Sequence, residues 1–271
     1  LQGDGKEGSG SIPWRLLDTD ASPVRMTAGL DEAIARARSR DLVPNTLHFY
    51  RRRPPAVTLG YSLEAEANVN LEYCRRSGID VIRRLSGGGA IYTDDRQLMY
   101  SLTTKDILPS SVEDSLRMVC AGIVNGLCNL GVAATFAPVN DVLVNGRKVS
   151  GSAQLRKWGV VLQHGTVLVD ADPDAMFRAL RVPKHKLDKH GLDDPSFRVT
   201  TLRAEMGRLP DMAEVKAALV KGFEDEFGIS FENAEPTENE LETANELAKS
   251  RYGSDGWNLG RISGLPPDNN P

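Results

Sequence analysis

Three consecutive glycines, Gly87-Gly88-Gly89, follow Ser86 between the strand-like segments Asp80–Arg84 and Ala90–Tyr92. Such a run is costly in a packed element, because glycine loses more conformational freedom on folding than any other residue. It is tolerated where backbone turns sharply or approaches a ligand closely, and consecutive N–H groups can form an anion-binding concavity. Strand alternation sends the side chains of Arg83 and Arg84 to opposite faces, so one of them can point at whatever the loop holds. A mobile turn with two solvated arginines fits the same residues, and the loop by itself does not decide between the two. It lacks the Gly-Lys-Ser/Thr ending of a P-loop and the spacing of a dinucleotide fingerprint.

A second constraint comes from Asn145-Gly146, which separates Asp141–Val144 from Arg147–Val149. This dipeptide favours a two-residue type I′ hairpin turn, which needs positive φ at both central positions. The implied register sets Val144 opposite Arg147, Leu143 opposite Lys148, and Asp141 opposite Ser150. Cross-strand partners share a face, so Asp141, Leu143, Lys148 and Ser150 are expected together. Val142, Val144 and Val149 make the better core face. A lysine held there can balance a carboxylate and a phosphate at once, and Asp141 is the candidate Mg2+ ligand. From the hairpin alone, a solvated surface ion pair is the favoured reading. His164, one of four histidines, is either structural or functional by the same reasoning.

Helical periodicity is clearest over Ser111–Leu130, with Leu116, Val119, Cys120, Ile123, Val124, Leu127 and Cys128 repeating at three and four. Cys120 and Cys128 read as buried structural thiols on that stripe. Thr27–Ser39, Met212–Phe227 and Glu238–Ser250 also read as helices, and Trp14–Asp18, Thr46–Tyr50, Ala56–Leu59, Leu98–Thr103 and Gly159–Asp170 as strands. This order implies an α+β (mixed α/β) fold, a mixed sheet flanked by helices. At 271 residues one large domain is expected over 12-262, with flexible tails at 1-11 and 263-271 and no C-terminal accessory domain. A net charge of -4 gives no field for nucleic acid. No apolar run is long enough for a membrane span. Three cysteines without a CxxC pair argue against a disulfide framework and for a reducing cytoplasm.

The segments RRLSGGGAIYTDDRQLMYSL (Arg83–Leu102) and NDVLVNGRKVSGSAQLRKWGVVLQHGTVLVDAD (Asn140–Asp172) resemble the two signatures of the lipoate-protein ligase family. Asp31-Glu32 and LAKSRYGSDGWNLG (Leu247–Gly260) resemble its N-terminal helix and closing segment. The resemblance implies the catalytic-domain fold shared with biotin-protein ligases. It also implies an ATP-dependent ligase that converts lipoate with ATP and Mg2+ to lipoyl-AMP. The lipoyl group then passes to a lysine of a lipoyl-acceptor domain, such as an E2 subunit or the glycine-cleavage H protein. Carried over by position, Lys148 is the catalytic lysine. Arg84, Ser86, Gly87, Gly88, Gly89, Ala90, Ile91 and Tyr92 contact lipoate and nucleotide. Asn140 and Asp141 lie near nucleotide and metal, while Ser150, Gly151 and His164 complete the pocket.

Thr93 stands where the family often has histidine. The short chain resembles the bipartite type, which is expected to draw on a separate accessory subunit for activation. The alternative is a lipoyl or octanoyl transferase of the same superfamily acting on a preformed acyl donor. Such transferases use a cysteine shortly before the hairpin, where this chain has Thr135-Phe136-Ala137-Pro138-Val139. A lipoate-binding module without activity is a further rival. A biotin ligase fits less well, because SGGGA replaces its basic glycine loop.

Overall fold

The computed structural model describes residues 13–105, 107–181 and 199–260. The tails expected at 1-11 and 263-271, and most of the polar loop expected at Lys184–Thr201, lie outside the described residues. Strands β1 (Trp14–Ser22), β2 (Thr46–Arg52), β6 (Leu98–Thr104), β7 (Ala134–Ala137), β8 (Asp141–Val144), β9 (Arg147–Lys157), β10 (Val160–Val167) and β11 (Phe231–Asn233) build an eight-stranded sheet. Its order is β11-β1-β2-β6-β10-β9-β8-β7. β1 runs parallel to β2 and β11, and the remaining pairs are antiparallel. A smaller sheet, β4-β3-β5, is made by β3 (Ala56–Leu59), β4 (Asp80–Arg83) and β5 (Ile91–Thr93). The mixed sheet flanked by helices is therefore as expected.

The sequence of β6, LMYSLTT, explains how the layers divide. Every residue of it is buried, yet alternate positions differ in kind. Leu98, Tyr100 and Leu102 join the main core with Leu47, Phe49, Val142, Val149 and Val167. Met99, Ser101 and Thr103 face the other way, as period-2 side chains must. The oily face is covered by α4 (Val112–Asn129) and α7 (Met212–Phe227), which pack on each other. α4 is capped by Ser111, whose hydroxyl accepts from the Asp114 N–H at 3.3 Å. Its buried stripe includes Cys120 but not Cys128, which is exposed. Eight residues advance a helix by two turns plus about 80°, enough to carry Cys128 off the stripe.

The polar face is covered by α1 (Val24–Ser39), backed by α8 (Glu238–Ser250) through Leu30, Ala33, Ile34 and Ala244. Short helices α2 (Ala65–Asn68), α3 (Leu71–Arg76) and α5 (Pro173–Ala179) flank the small sheet, and α6 (Leu202–Met206) precedes α7. Among the described residues no helix is long and apolar enough to cross a membrane.

Arg83 ties the chain's last described turn, α9 (Asp255–Asn258), to the strand that leads into the glycine loop. Its guanidinium is wholly buried and meets no carboxylate. It donates instead to the carbonyls of Tyr61 (2.7 Å), Leu63 (2.6 Å), Trp257 (3.0 Å), Asn258 (3.2 Å) and Gly260 (3.0 Å), and to Gly60 (3.2 Å). The planar five-donor fork suits this work, and an ammonium does not. Arg83→Lys should therefore cost roughly 3 kcal/mol or more in urea unfolding, since several buried carbonyls lose a charged donor at once.

Candidate active site

On the polar face of the large sheet, His48 of β2 pairs with Ser101 of β6, which pairs with His164 of β10. The three side chains form one transverse row, and Asp31 of α1 sits over it. Asp31 Oδ1 accepts from Ser101 Oγ (2.7 Å) and lies 3.0 Å from His48 Nδ1. Its Oδ2 accepts from Tyr50 Oη (2.8 Å) and is 3.9 Å from His164 Nδ1. Burial alone raises a carboxyl's pKa; the interactions with His164 and His48 outweigh it and hold Asp31 well below the usual carboxylate range. Burial lowers His164, an effect that Asp31 partly offsets, so its imidazole is neutral at pH 7.

That row anchors the glycine loop. With its N–H on the Asp31 side, His164 accepts at Nε2 from Ser86 Oγ, 2.6 Å away. Ser86 Oγ in turn accepts from Arg84 Nε at 3.0 Å. Arg84 also donates to the carbonyls of Gly87 (2.6 Å), Gly89 (2.9 Å) and Thr58 (3.1 Å). Burial, helped by Arg52, lowers the Arg84 guanidinium to about 10. The sequence left one arginine free to aim at a ligand; instead Arg84 braces the loop from beneath and Arg83 clamps backbone behind it. Gly87, Gly88 and Gly89 are exposed, and Gly88 adopts φ +94°. Gly60 matters as well, because a Cβ there would strike the Gly88 carbonyl. Its position just after β3 was the available signal, and it went unread. Thr93, in place of the family's histidine, is buried and accepts from Arg52 at 3.3 Å.

The hairpin turn forms as expected, with φ +50° at Asn145 and +75° at Gly146. Val144 pairs with Arg147 and Leu143 with Lys148, but the register then shifts. Val142 meets Ser150 and Asp141 meets Gly151, which corrects the expected Asp141–Ser150 pair. The cause is a bulge at Val149, one extra residue that reverses which face later side chains take. Ser150 consequently stands opposite Val142 and Val167, which face the core. Gly151 takes the expected place of Ser150, and a Cβ on it would overlap the Lys148 side chain. Lys148 Nζ lies 2.7 Å from Asp141 Oδ1, a charge contact without good hydrogen-bond angles. Both are about one-third exposed, so the pair itself adds at most about 1 kcal/mol.

A cavity of about 200 Å³ opens beside Lys148. Of the expected residues it brings together Ala90, Ile91, Tyr92, Lys148, Ser150 and Gly151. Leu168, Met176, Leu180 and Val199 make the rest of its wall largely apolar, and Gln97, unread in the sequence, lines it too. Arg84, Ser86 and His164 border a separate space of about 20 Å³ farther along β10, room for one water. Asn140 braces the hairpin by donating to the Ser152 carbonyl. Among the described residues no three His, Cys, Asp or Glu side chains gather as metal ligands, and Asp141 is engaged by Lys148. The cysteines stand outside the cavity wall. Burial pushes the Cys74 and Cys120 thiols up to about 11, and Cys128 is exposed at the end of α4.

The sequence profile of the lipoyl protein ligase A/B catalytic domain matches residues 23–224. The chain belongs to this family. Octanoyltransferase LipM of Symbiobacterium thermophilum is 35% identical, over 91% of this chain and 98% of the relative. The bi-partite lipoate protein ligase structure from Thermoplasma acidophilum superposes with a TM-score of 0.82 at 30% identity, covering 94% of this chain and 99% of that one. A lipoate-protein ligase A bound with ATP gives 0.80 at 30% identity, covering 93% and 100%. The chain is thus an enzyme of the lipoate ligase and transferase superfamily. The expectation of an ATP-dependent ligase is corrected by the curated relatives, which carry the octanoyltransferase name across nearly their whole length. The missing cysteine before the hairpin had weighed against a transferase; it bears on the route of transfer within this family.

The buried row predicts an acid response. His164 has an ordinary value of 6.5 that burial lowers, so below about pH 6.5 the unfolded chain binds the extra proton first. Stability should hold near neutral pH and fall as pH drops below that value. Asp31, ordinarily 3.8 and lowered here, withdraws its contribution below about pH 3.8. Urea midpoints measured from pH 8 to 5 should show the first decline, and His164→Gln should flatten it.

Proposed function

We propose that this enzyme transfers an octanoyl or lipoyl group from a preformed, activated donor to a lysine of a lipoyl-acceptor domain. The observation that carries the reading is one ammonium, Lys148, fixed on a bulged strand at the wall of an apolar cavity. The octanoyltransferase name of the relatives and the E2 lipoyl domain in the bi-partite ligase study support the acyl group and the acceptor.

The acyl donor enters the cavity, where burying its tail against the apolar wall contributes roughly 25 cal/mol per Å². Its activated carbonyl then lies beside Lys148, between the tail and the leaving group. The acceptor's lysine amine, in its neutral form, attacks that carbon. A C–N bond forms, negative charge collects on the carbonyl oxygen, and Lys148 stabilises it in place. As the oxyanion collapses, the bond to the donor's leaving group breaks and takes the electron pair; the amine's surplus proton is lost to solvent or leaving group. Asp141 holds Lys148 in position through the 2.7 Å contact. The glycine loop, held by Ser86 and Arg84, closes the cleft beside Ala90 and Ile91. None of the chain's three cysteines lines this cavity, and the acyl group passes directly from donor to acceptor.

The test is transfer from octanoyl thioesters to a lipoyl domain without nucleotide, followed by acceptor mass. Lys148→Ala should lower kcat by roughly 10²- to 10³-fold, with thermal stability nearly unchanged because the side chain is partly exposed. Near-normal turnover in that variant would sink the assignment of Lys148, and a strict need for added ATP would sink the donor class.

A further inference from the structure

The cavity beside Lys148 contains a polar group for which acyl-tail binding has no use. Gln97 stands one residue ahead of β6 and continues its alternation, sharing the face of Met99 and Ser101. It therefore lies on the polar face of the sheet, where the cleft is. Gln97 lines the cavity and is 0% exposed, and neither its Nε2 nor its Oε1 has a hydrogen-bond partner. The charged groups just before it are committed elsewhere, since Asp94 pairs with Arg96, and Arg96 also reaches Asp172. The Ser150 hydroxyl, also on the cavity lining, is unpartnered too, but a single hydroxyl lacks the side-by-side donor and acceptor of the carboxamide.

A buried carboxamide left without bonds is strongly unfavourable, and native proteins keep such groups chiefly where a ligand or water completes them. An alkyl tail cannot do so. The carboxamide offers N–H donors and a carbonyl acceptor side by side, so its complement is a ligand edge with an acceptor beside a donor. A secondary amide has that edge, and so does the N6/N7 edge of adenine.

We propose that Gln97 reads the leaving-group half of the acyl donor, through an adjacent donor–acceptor edge, and so sets donor specificity. The proposal rests on the acyl-transfer reading above. Two donor chemistries supply the edge: the amides of a pantetheine thioester and the purine of an acyl-adenylate. Gln97 then holds the leaving group while Lys148 faces the carbonyl.

The experiment compares the full-length chain with Gln97→Met on three donors. These are octanoyl-pantetheine, octanoyl-AMP, and the octanoyl thioester of 2-mercaptoethanol, which has neither amide nor purine. The variant should lose about 10- to 100-fold in kcat/KM on one of the first two, mainly through KM, and less than about threefold on the third. Whichever donor suffers identifies the source of the edge. Equal losses on all three, or no loss on any, overturn the assignment. Binding of pantetheine and of AMP, measured by calorimetry without acyl group or acceptor, gives an independent reading. Wild type should bind one of them and Gln97→Met should bind it at least tenfold more weakly. A wild-type protein that binds one but transfers from no donor counts against the acyl-transfer reading and leaves Gln97 in place. A wild type that binds neither overturns the proposal. The melting temperature of the ligand-free variant should equal or exceed that of wild type, because methionine fills similar space without an unbonded amide. A clear fall in melting temperature would mark Gln97 as structural and overturn it.

Discussion

A single buried carboxylate organises the functional half of this enzyme. Asp31 takes hydrogen bonds from Ser101 and Tyr50, faces His48 and His164, and so joins helix α1 to three neighbouring strands of the large sheet. An isolated buried carboxylate would cost several kcal/mol. Surrounded by donors it stays ionised, and it faces the buried His164 whose Nε2 is bonded to Ser86. The glycine loop is thereby connected to the sheet through a chain of polar contacts, and Arg84 completes the hold by binding the loop's own carbonyls.

The division of the sheet into two faces makes this arrangement affordable. Leu98, Tyr100 and Leu102 bury against α4 and α7, which supplies the hydrophobic stabilisation for the whole domain. The alternate residues are thereby free to be Ser, His and Thr. The cleft forms where this polar face meets the apolar exit of the glycine loop at Ala90 and Ile91. An acyl carbonyl needs such a boundary, with oil for its tail and a fixed positive charge for its oxygen.

Much of this was legible in the sequence. Alternation and periodicity gave most elements, and Asn145-Gly146 gave the turn and the first two hairpin pairs, because local turn chemistry dictates them. The bulge at Val149 was not legible, since nothing in Val-Ser-Gly distinguishes a bulged strand from a regular one; Ser150 was placed on the wrong face as a result. The loop and Lys148 stood out through glycine content and position. Asp31 was read merely as part of a helix signature, because its partners lie 17, 19, 70 and 133 residues away. Gln97 left no local signal at all: its unbonded state exists only in the folded chain. The reaction was misjudged for a different reason. The family's motifs report the acyl-binding scaffold, which ligases and transferases share, and the absent cysteine was weighed against transfer, leaving the transferase as the alternative.

Direct transfer is the most exposed part of this account, because it denies the enzyme any covalent intermediate. A single-turnover reaction of enzyme, octanoyl thioester and lipoyl domain, quenched early and read by intact mass of both proteins, tests it. The acceptor should gain one octanoyl group while the enzyme's mass stays unchanged at every time point. An octanoyl adduct that appears on the enzyme and decays as the acceptor is modified would contradict it.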